Sequence, residues 1–350
     1  MIKNTQTDKT KQRRKTGFQI FKYSLFVLGF LSLLLISFAV WIYFSLFSGP
    51  RPMEMNDFHP FRSEEAKTQY LAFEKKMAKK WPVLSEERLV RTSFGTTFMR
   101  ISGPIDAPPM VLLPGGGCNS IIWNANIEAF SQNYRTYALD NIYDYGRSVY
   151  TRELNSGRDL SQWLNGLFDT LKLGDDIRIV GYSYGGWVAS QYALHHPERL
   201  SHIVLIAPVF TVLPLSDQFI LKMVMTLIPL RSLKSKMVYE SWSDLAQMGE
   251  RGKQIVEDRI DYYDLSLKSF KFKQPVNPTV LSDLEIDHLS IPVLFLVGEH
   301  ETVYNARDAI SRLNRVNSQI KTELIAGTGH DLMFTHTELV NRKILEFLKE

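Results

Sequence analysis

One cysteine, Cys118, stands in a chain of 350 residues. Neither a disulfide framework nor a Cys-rich zinc or iron–sulfur site can be built from it. Two ligand-binding patterns are also missing. No G-x-x-x-x-G-K-[ST] occurs, which removes the phosphate loop. No H-E-x-x-H occurs either: His300-Glu301-Thr302-Val303-Tyr304 fails at its last position, leaving no basis for a metal hydrolase of that type. Most of the chain lacks an excess of one charge. The formal net charge is +4, but Lys3, Lys9, Lys11, Arg13, Arg14, Lys15 and Lys22 face only Asp8 within residues 1–22. That tail is +6 by itself and the remainder is −2, so the basic balance does not describe a nucleic-acid-binding body. Repeats and low-complexity tracts are absent. With 45% hydrophobic and 22% charged residues, the chain has enough apolar matter for a packed core and is not disordered as a whole.

Charge is missing altogether from Tyr23 to Phe47. A helix of that length reaches ~37 Å at ~1.5 Å per residue, more than the ~30 Å of a bilayer core. Tyr23, Trp41 and Tyr43 fall where interfacial aromatics belong. Seven cations precede the run and only Arg51 follows closely. The expectation is one transmembrane helix over 23–47 with a cytoplasmic basic tail over 1–22, which puts the remaining chain outside the cell and makes the lipid bilayer a partner. A cleaved signal peptide fits less well, because Ser45 to Pro50 makes a poor cleavage site. Residues 48–82 read as a stalk with Pro50, Pro52 and Pro60, followed by an amphipathic helix. In that helix Ala66, Tyr70, Phe73 and Met77 recur at helical spacing over Ser63 to Lys80, suiting a helix docked on the body.

From Leu89 onward apolar runs alternate with helical stretches, the pattern of a mostly parallel sheet flanked by helices. Leu89–Ser93 and Thr97–Ser102 flank Gly95 as a hairpin. Buried-strand runs follow at Met110–Leu113, Tyr134–Leu139, Ile177–Val180, Ile203–Ile206, Val293–Val297 and Ile320–Ile325. Helices are expected at Leu160–Leu173, Trp187–His195, Asn305–Leu313 and Thr337–Leu348. About 80 residues, 210–290, interrupt this rhythm and read as a helical cap rich in methionine.

Gly181-Tyr182-Ser183-Tyr184-Gly185 matches G-x-S-x-G, directly after a strand and at the start of a helix. Small neighbours permit a strained serine there, with its hydroxyl pushed out at the positive end of the helix. A hydroxyl becomes a nucleophile only when a base takes its proton. Of eight histidines, His330 follows a strand in a Gly-bearing loop, Ala326 to His330, just ahead of the final helix and at the sheet edge that would carry Ser183. An acid to orient it is offered by the loop Gly298-Glu299-His300-Glu301, where either glutamate could serve. Gly115-Gly116-Gly117 follows another strand and bares amides for a developing oxyanion.

Together LLPGGGCNSIIW, DNIYDYGRS, GYSYGGWVA, PVLFLVGEHET and GTGHD resemble the α/β-hydrolase family over about residues 83–350, in the family order of nucleophile, acid and histidine. The resemblance implies an α/β-hydrolase fold with Ser183 as nucleophile, His330 as base and Glu301 as acid. It implies oxyanion donors at the N–H groups of Tyr184 and Gly116. It further implies a carboxylesterase or lipase-like serine hydrolase that acts on a small-molecule ester or acyl substrate without cofactor or metal. Peptidase, thioesterase and cofactor-free peroxidase activities, or a silent binding protein, are the alternatives. Two departures stand out: Pro114-Gly115 replaces the usual His-Gly, and the acid is Glu rather than Asp.

Overall fold

The computed structural model describes residues 60–225, 231–271 and 276–350, with Gly29, Ser37 and Phe38 ahead of them. The chain divides into two units, Met1–Arg51 and Pro52–Glu350. In the first, Gly29, Ser37 and Phe38 are helical and exposed. The basic tail over 1–22, the stalk up to residue 59, and all but these three residues of the expected transmembrane helix lie outside the described residues. Among the described residues no helix is long and apolar enough to cross a membrane.

In the second unit the described residues form a sheet of nine strands. They are β1 (Glu86–Thr92), β2 (Gly95–Ser102), β3 (Pro109–Leu113), β4 (Arg135–Leu139), β5 (Val149–Tyr150), β6 (Ile177–Tyr182), β7 (Leu200–Ile206), β8 (Val293–Gly298) and β9 (Lys321–Ile325). Their order is β1-β2-β4-β3-β6-β7-β8-β9, with β5 against β2. β2 pairs antiparallel with β1, β4 and β5, and every pairing from β4 to β9 is parallel. The expected strands fall within a few residues of these. β5 was not anticipated, because two residues are too short to carry a period.

A parallel sheet is buried on both faces, and the strands alternate accordingly. Val111, Leu113, Ile179, Phe295 and Val297 join one core. Met110, Leu112, Val180, Leu294 and Leu296 join the other. The first face is covered by α3 (Gly157–Leu171), α4 (Tyr184–His195) and α10 (Ala306–Val316); the second is covered by α2 (Ile127–Phe130) and α12 (Thr337–Phe347). Helix α3 starts earlier than its apolar period suggests, because Ser156 and Asp159 form a capping box.

Between β7 and β8 lie α5 (Asp217–Met225), α6 (Arg231–Ser241), α7 (Ser243–Ala246), α8 (Gly249–Ser269) and the short α9 (Asp283–Asp287). Ahead of the sheet, α1 (Glu64–Ala78) docks on α8. The Tyr70 and Tyr262 hydroxyls are 2.9 Å apart, and Phe61 and Phe270 complete that cluster. Glu74 reaches Arg100 of β2 in an ion pair whose side chains are 4% and 2% exposed. The amphipathic helix therefore spends its apolar stripe on protein.

Candidate active site

Four loops converge at the C-terminal edge of the parallel strands: those after β3, β6, β8 and β9. The turn after β6 is the most constrained. Ser183 has φ 53° and ψ −116°, a conformation that L residues rarely adopt and that costs on the order of 1–3 kcal/mol. Its surroundings hold it there. Its N–H donates to the Ile206 carbonyl at 2.9 Å, and its carbonyl accepts from Gly186 at 3.0 Å. A Cβ on Gly181 would come within 2.3 Å of the Gly185 carbonyl oxygen, and one on Gly185 within 2.3 Å of the Leu113 carbonyl oxygen. The glycines of the motif are thus required by close backbone approach.

The structure brings Ser183, His330 and Glu301 into one hydrogen-bonded row. Ser183 Oγ lies 3.1 Å from His330 Nε2, and His330 Nδ1 lies 2.8 Å from Glu301 Oε2. The Glu301 side chain is wholly buried, and its other oxygen accepts from the Val303 N–H at 2.9 Å. Glu299 points elsewhere: its carboxylate takes Arg307 Nη2 at 2.9 Å. Burial pushes the His330 pKa down, but the charge of Glu301 and its hydrogen bond push it up more, and the net position is raised. A ring held between a hydroxyl and a buried carboxylate can accept a proton from the hydroxyl and be stabilised as the imidazolium by the carboxylate.

The loop expected to carry one oxyanion donor packs on the serine turn: a Cβ on Gly115 would lie 3.2 Å from Ser183 Cβ. Gly116 sits against Tyr184, whose Cβ would be 3.5 Å from a Cβ on that glycine. Among the described residues neither the Gly116 N–H nor the Tyr184 N–H has a hydrogen-bond acceptor. Cys118, two residues on, is buried, and burial raises its thiol to about 11. It stays protonated at neutral pH and does not compete as a nucleophile.

Several residues around the site had no signal in the sequence pattern. The Tyr182 hydroxyl donates to the His330 carbonyl at 3.0 Å, fixing the histidine loop to β6. Asp331, next to His330 in the chain, accepts from the Leu245 N–H of α7 at 2.8 Å. The Gly117 N–H donates to Asp144 Oδ2 at 2.7 Å and its carbonyl accepts from Arg259 Nη1 at 2.9 Å. Asp144 lies within the quoted DNIYDYGRS stretch, but Arg259 is 142 residues from Gly117, too far for any local pattern. A cleft of about 1270 Å³ lined by Trp242, Leu245, Arg259 and Phe334 lies beside this arrangement, with neither Ser183 nor His330 in its wall.

Residues 110–343 match the model of the alpha/beta hydrolase family. The chain belongs to that family. Within it the hydrolase is carboxylesterase-like. It is 33% identical over 270 residues to carboxylesterase YbfK of Bacillus subtilis (strain 168), across 77% of this chain and 89% of that protein. It is 29% identical over 280 residues to an uncharacterized carboxylesterase, nap, of the same strain, across 76% and 88%. The crystal structure of naproxen esterase (carboxylesterase NP) from Bacillus subtilis superposes with a TM-score of 0.74 at 27% identity, covering 81% of this chain and 98% of that one.

These relatives correct one expectation. Naproxen esterase is matched over 98% of its length by 81% of this chain, so it is hydrolase body almost throughout. Together with the lack, among the described residues, of a helix able to cross a membrane, this overturns the single-pass membrane protein with an extracytoplasmic catalytic domain. The bilayer is withdrawn as a partner with it. The physical reason is that an uncharged run of spanning length is necessary for an anchor without being sufficient, since an all-apolar helix is also what a protein interior buries.

Proposed function

We propose that this hydrolase cleaves carboxylic esters of small molecules through an acyl-enzyme on Ser183. The observation that carries the reading is the continuous row Ser183–His330–Glu301, with bonds of 3.1 and 2.8 Å. Ser183 Oγ attacks the ester carbonyl carbon while His330 Nε2 takes its proton. Glu301 holds Nδ1–H and stabilises the imidazolium that forms. The N–H groups of Gly116 and Tyr184 receive the oxyanion. Collapse expels the alcohol, which takes the proton from His330. Water then adds to the acyl carbon by the same route and releases the acid. These steps need no cofactor.

Support for an ester, rather than an amide or thioester, comes from the carboxylesterases that the chain resembles over most of their length. The helices between β7 and β8 fit a cap over residues 210–290 that bounds the substrate, tied down by Asp331 on Leu245 and by Asp244 on His300. A fluorophosphonate probe and a panel of p-nitrophenyl acyl esters test the reading. Wild-type protein is expected to label and turn over, and Ser183→Ala to lose labelling and on the order of 10⁴–10⁶ in kcat while keeping its fold. An alanine variant that retains substantial turnover removes Ser183 from the mechanism.

A further inference from the structure

We propose that Asp144 and Arg259 are positioning residues that brace the glycine loop and so aim the Gly116 N–H at the developing oxyanion. The proposal rests on the esterase reading above and extends it to residues outside the row of three.

The loop cannot hold itself. Gly115, Gly116 and Gly117 in succession carry the largest backbone entropy of any residue type, yet an oxyanion donor works only if it is already in place. One internal bond closes the turn: the Cys118 N–H donates to the Gly115 carbonyl at 3.1 Å. In a trans peptide the C=O and N–H point in opposite directions. With the Gly115 carbonyl engaged inside the turn, the Gly116 N–H on the same peptide is directed out of it. What remains is to stop the turn from rotating.

Gly117 supplies the handle. It has φ +63°, and a Cβ there would lie 3.3 Å from the Tyr263 ring, so the position is built for bare backbone. Both of its polar groups are held by charged side chains from outside the loop, one on each side. Asp144, in the connection from β4 to β5, accepts its N–H at 2.7 Å, and the other Asp144 oxygen accepts from the Tyr145 N–H at 2.7 Å, which fixes the carboxylate. Arg259, in α8, donates Nη1 to its carbonyl at 2.9 Å. The guanidinium is itself located by the Trp242 and Tyr262 rings, 5.8 and 5.6 Å away. Bonds to charged groups are shorter and roughly twice as strong as neutral ones. Two of them on one residue replace the stiffness that a less glycine-rich loop would have, and the Arg259 bond makes oxyanion geometry depend on the helices between β7 and β8.

The test pairs kinetics with backbone hydrogen exchange on the full chain. Arg259→Met and Asp144→Ala should each lower kcat for an ester by about 10²–10³, the effect of losing one oxyanion donor, with KM changed less than about threefold. The acid limb of the pH profile should not move, since the row of three is untouched. Arg259→Lys and Asp144→Asn keep a donor and an acceptor, and should recover to within about tenfold of wild type. In the two disruptive variants the amides of residues 115–118 should exchange at least about tenfold faster, with β6 and α4 unchanged. Exchange needs no turnover, so it rules on the brace even if the wild type fails to label and the esterase reading falls. Unchanged loop exchange, or disruptive variants with wild-type kcat, would overturn the proposal.

Discussion

His330 receives two opposing pushes. Burial favours its neutral ring, while the buried carboxylate of Glu301 favours the imidazolium and prevails. The neutral form needed by the base is therefore reached at higher pH than for a solvated imidazole. In kcat/KM against pH, the acid limb should lie above ~6.5. Glu301→Gln removes the charge and leaves the burial, so the sign reverses and the limb should fall below that of wild type. The same change should cost on the order of 10³–10⁴ in kcat, whereas Glu299→Gln, which weakens the bonds to Arg307 and to the Gly327 N–H, should cost about tenfold or less. Steady-state profiles of both variants check this. The reverse ranking would move the acid to Glu299, and two mild effects would send it outside the loop. The residues alone left the two glutamates equal; the resemblance preferred Glu301, and the 2.8 Å contact to His330 agrees with that preference.

At the scale of elements, the turn from β6 into α4 converts strand into helix at a single strained residue, and the glycine beside it differs in kind from one inside a helix. Gly185 packs backbone against backbone, 2.3 Å from the Leu113 carbonyl oxygen once a Cβ is added, while Gly166 in α3 has open space around it. Gly185→Ala forces β3 and α4 apart and should destabilise by about 3 kcal/mol. Gly166→Ala only removes backbone freedom from the unfolded chain within a helix and should stabilise by about 0.5–1 kcal/mol. Urea midpoints of the two variants, expected on opposite sides of wild type, decide the matter. Opposite signs for one chemical change show why a G-x-S-x-G match means little until its surroundings are known.

Across the whole molecule, Ser183, Glu301 and His330 come from three connections carried by one sheet. β6 and β8 are separated by β7, and β9 lies at the far edge. β6 and β8 are buried between two apolar layers and β9 adds Ile325 to one of them, so the site has no stability apart from the core. Denaturant should therefore abolish fluorophosphonate labelling and the near-ultraviolet signal of the buried tryptophans in one coincident transition. Loss of labelling at clearly lower denaturant would mean that the site opens with the helices between β7 and β8 ahead of the sheet.

Strand positions, the two-sided core, the serine turn and the histidine that meets Ser183 were all legible in the chain itself. Each depends on period, on local turn chemistry or on a glycine that only a close approach explains, and such signals lie within a few consecutive residues. The run from 23 to 47 was legible too, but hydropathy reports an aversion to water and not what satisfies it, and the inference of an anchored protein drawn from it does not survive. Tertiary structure decided which glutamate meets His330 and how three successive glycines are held by Asp144 and Arg259. Those contacts join residues 27 and 142 positions away from Gly117. Only the folded sheet, with α8 laid across its edge, brings them within a hydrogen bond's length.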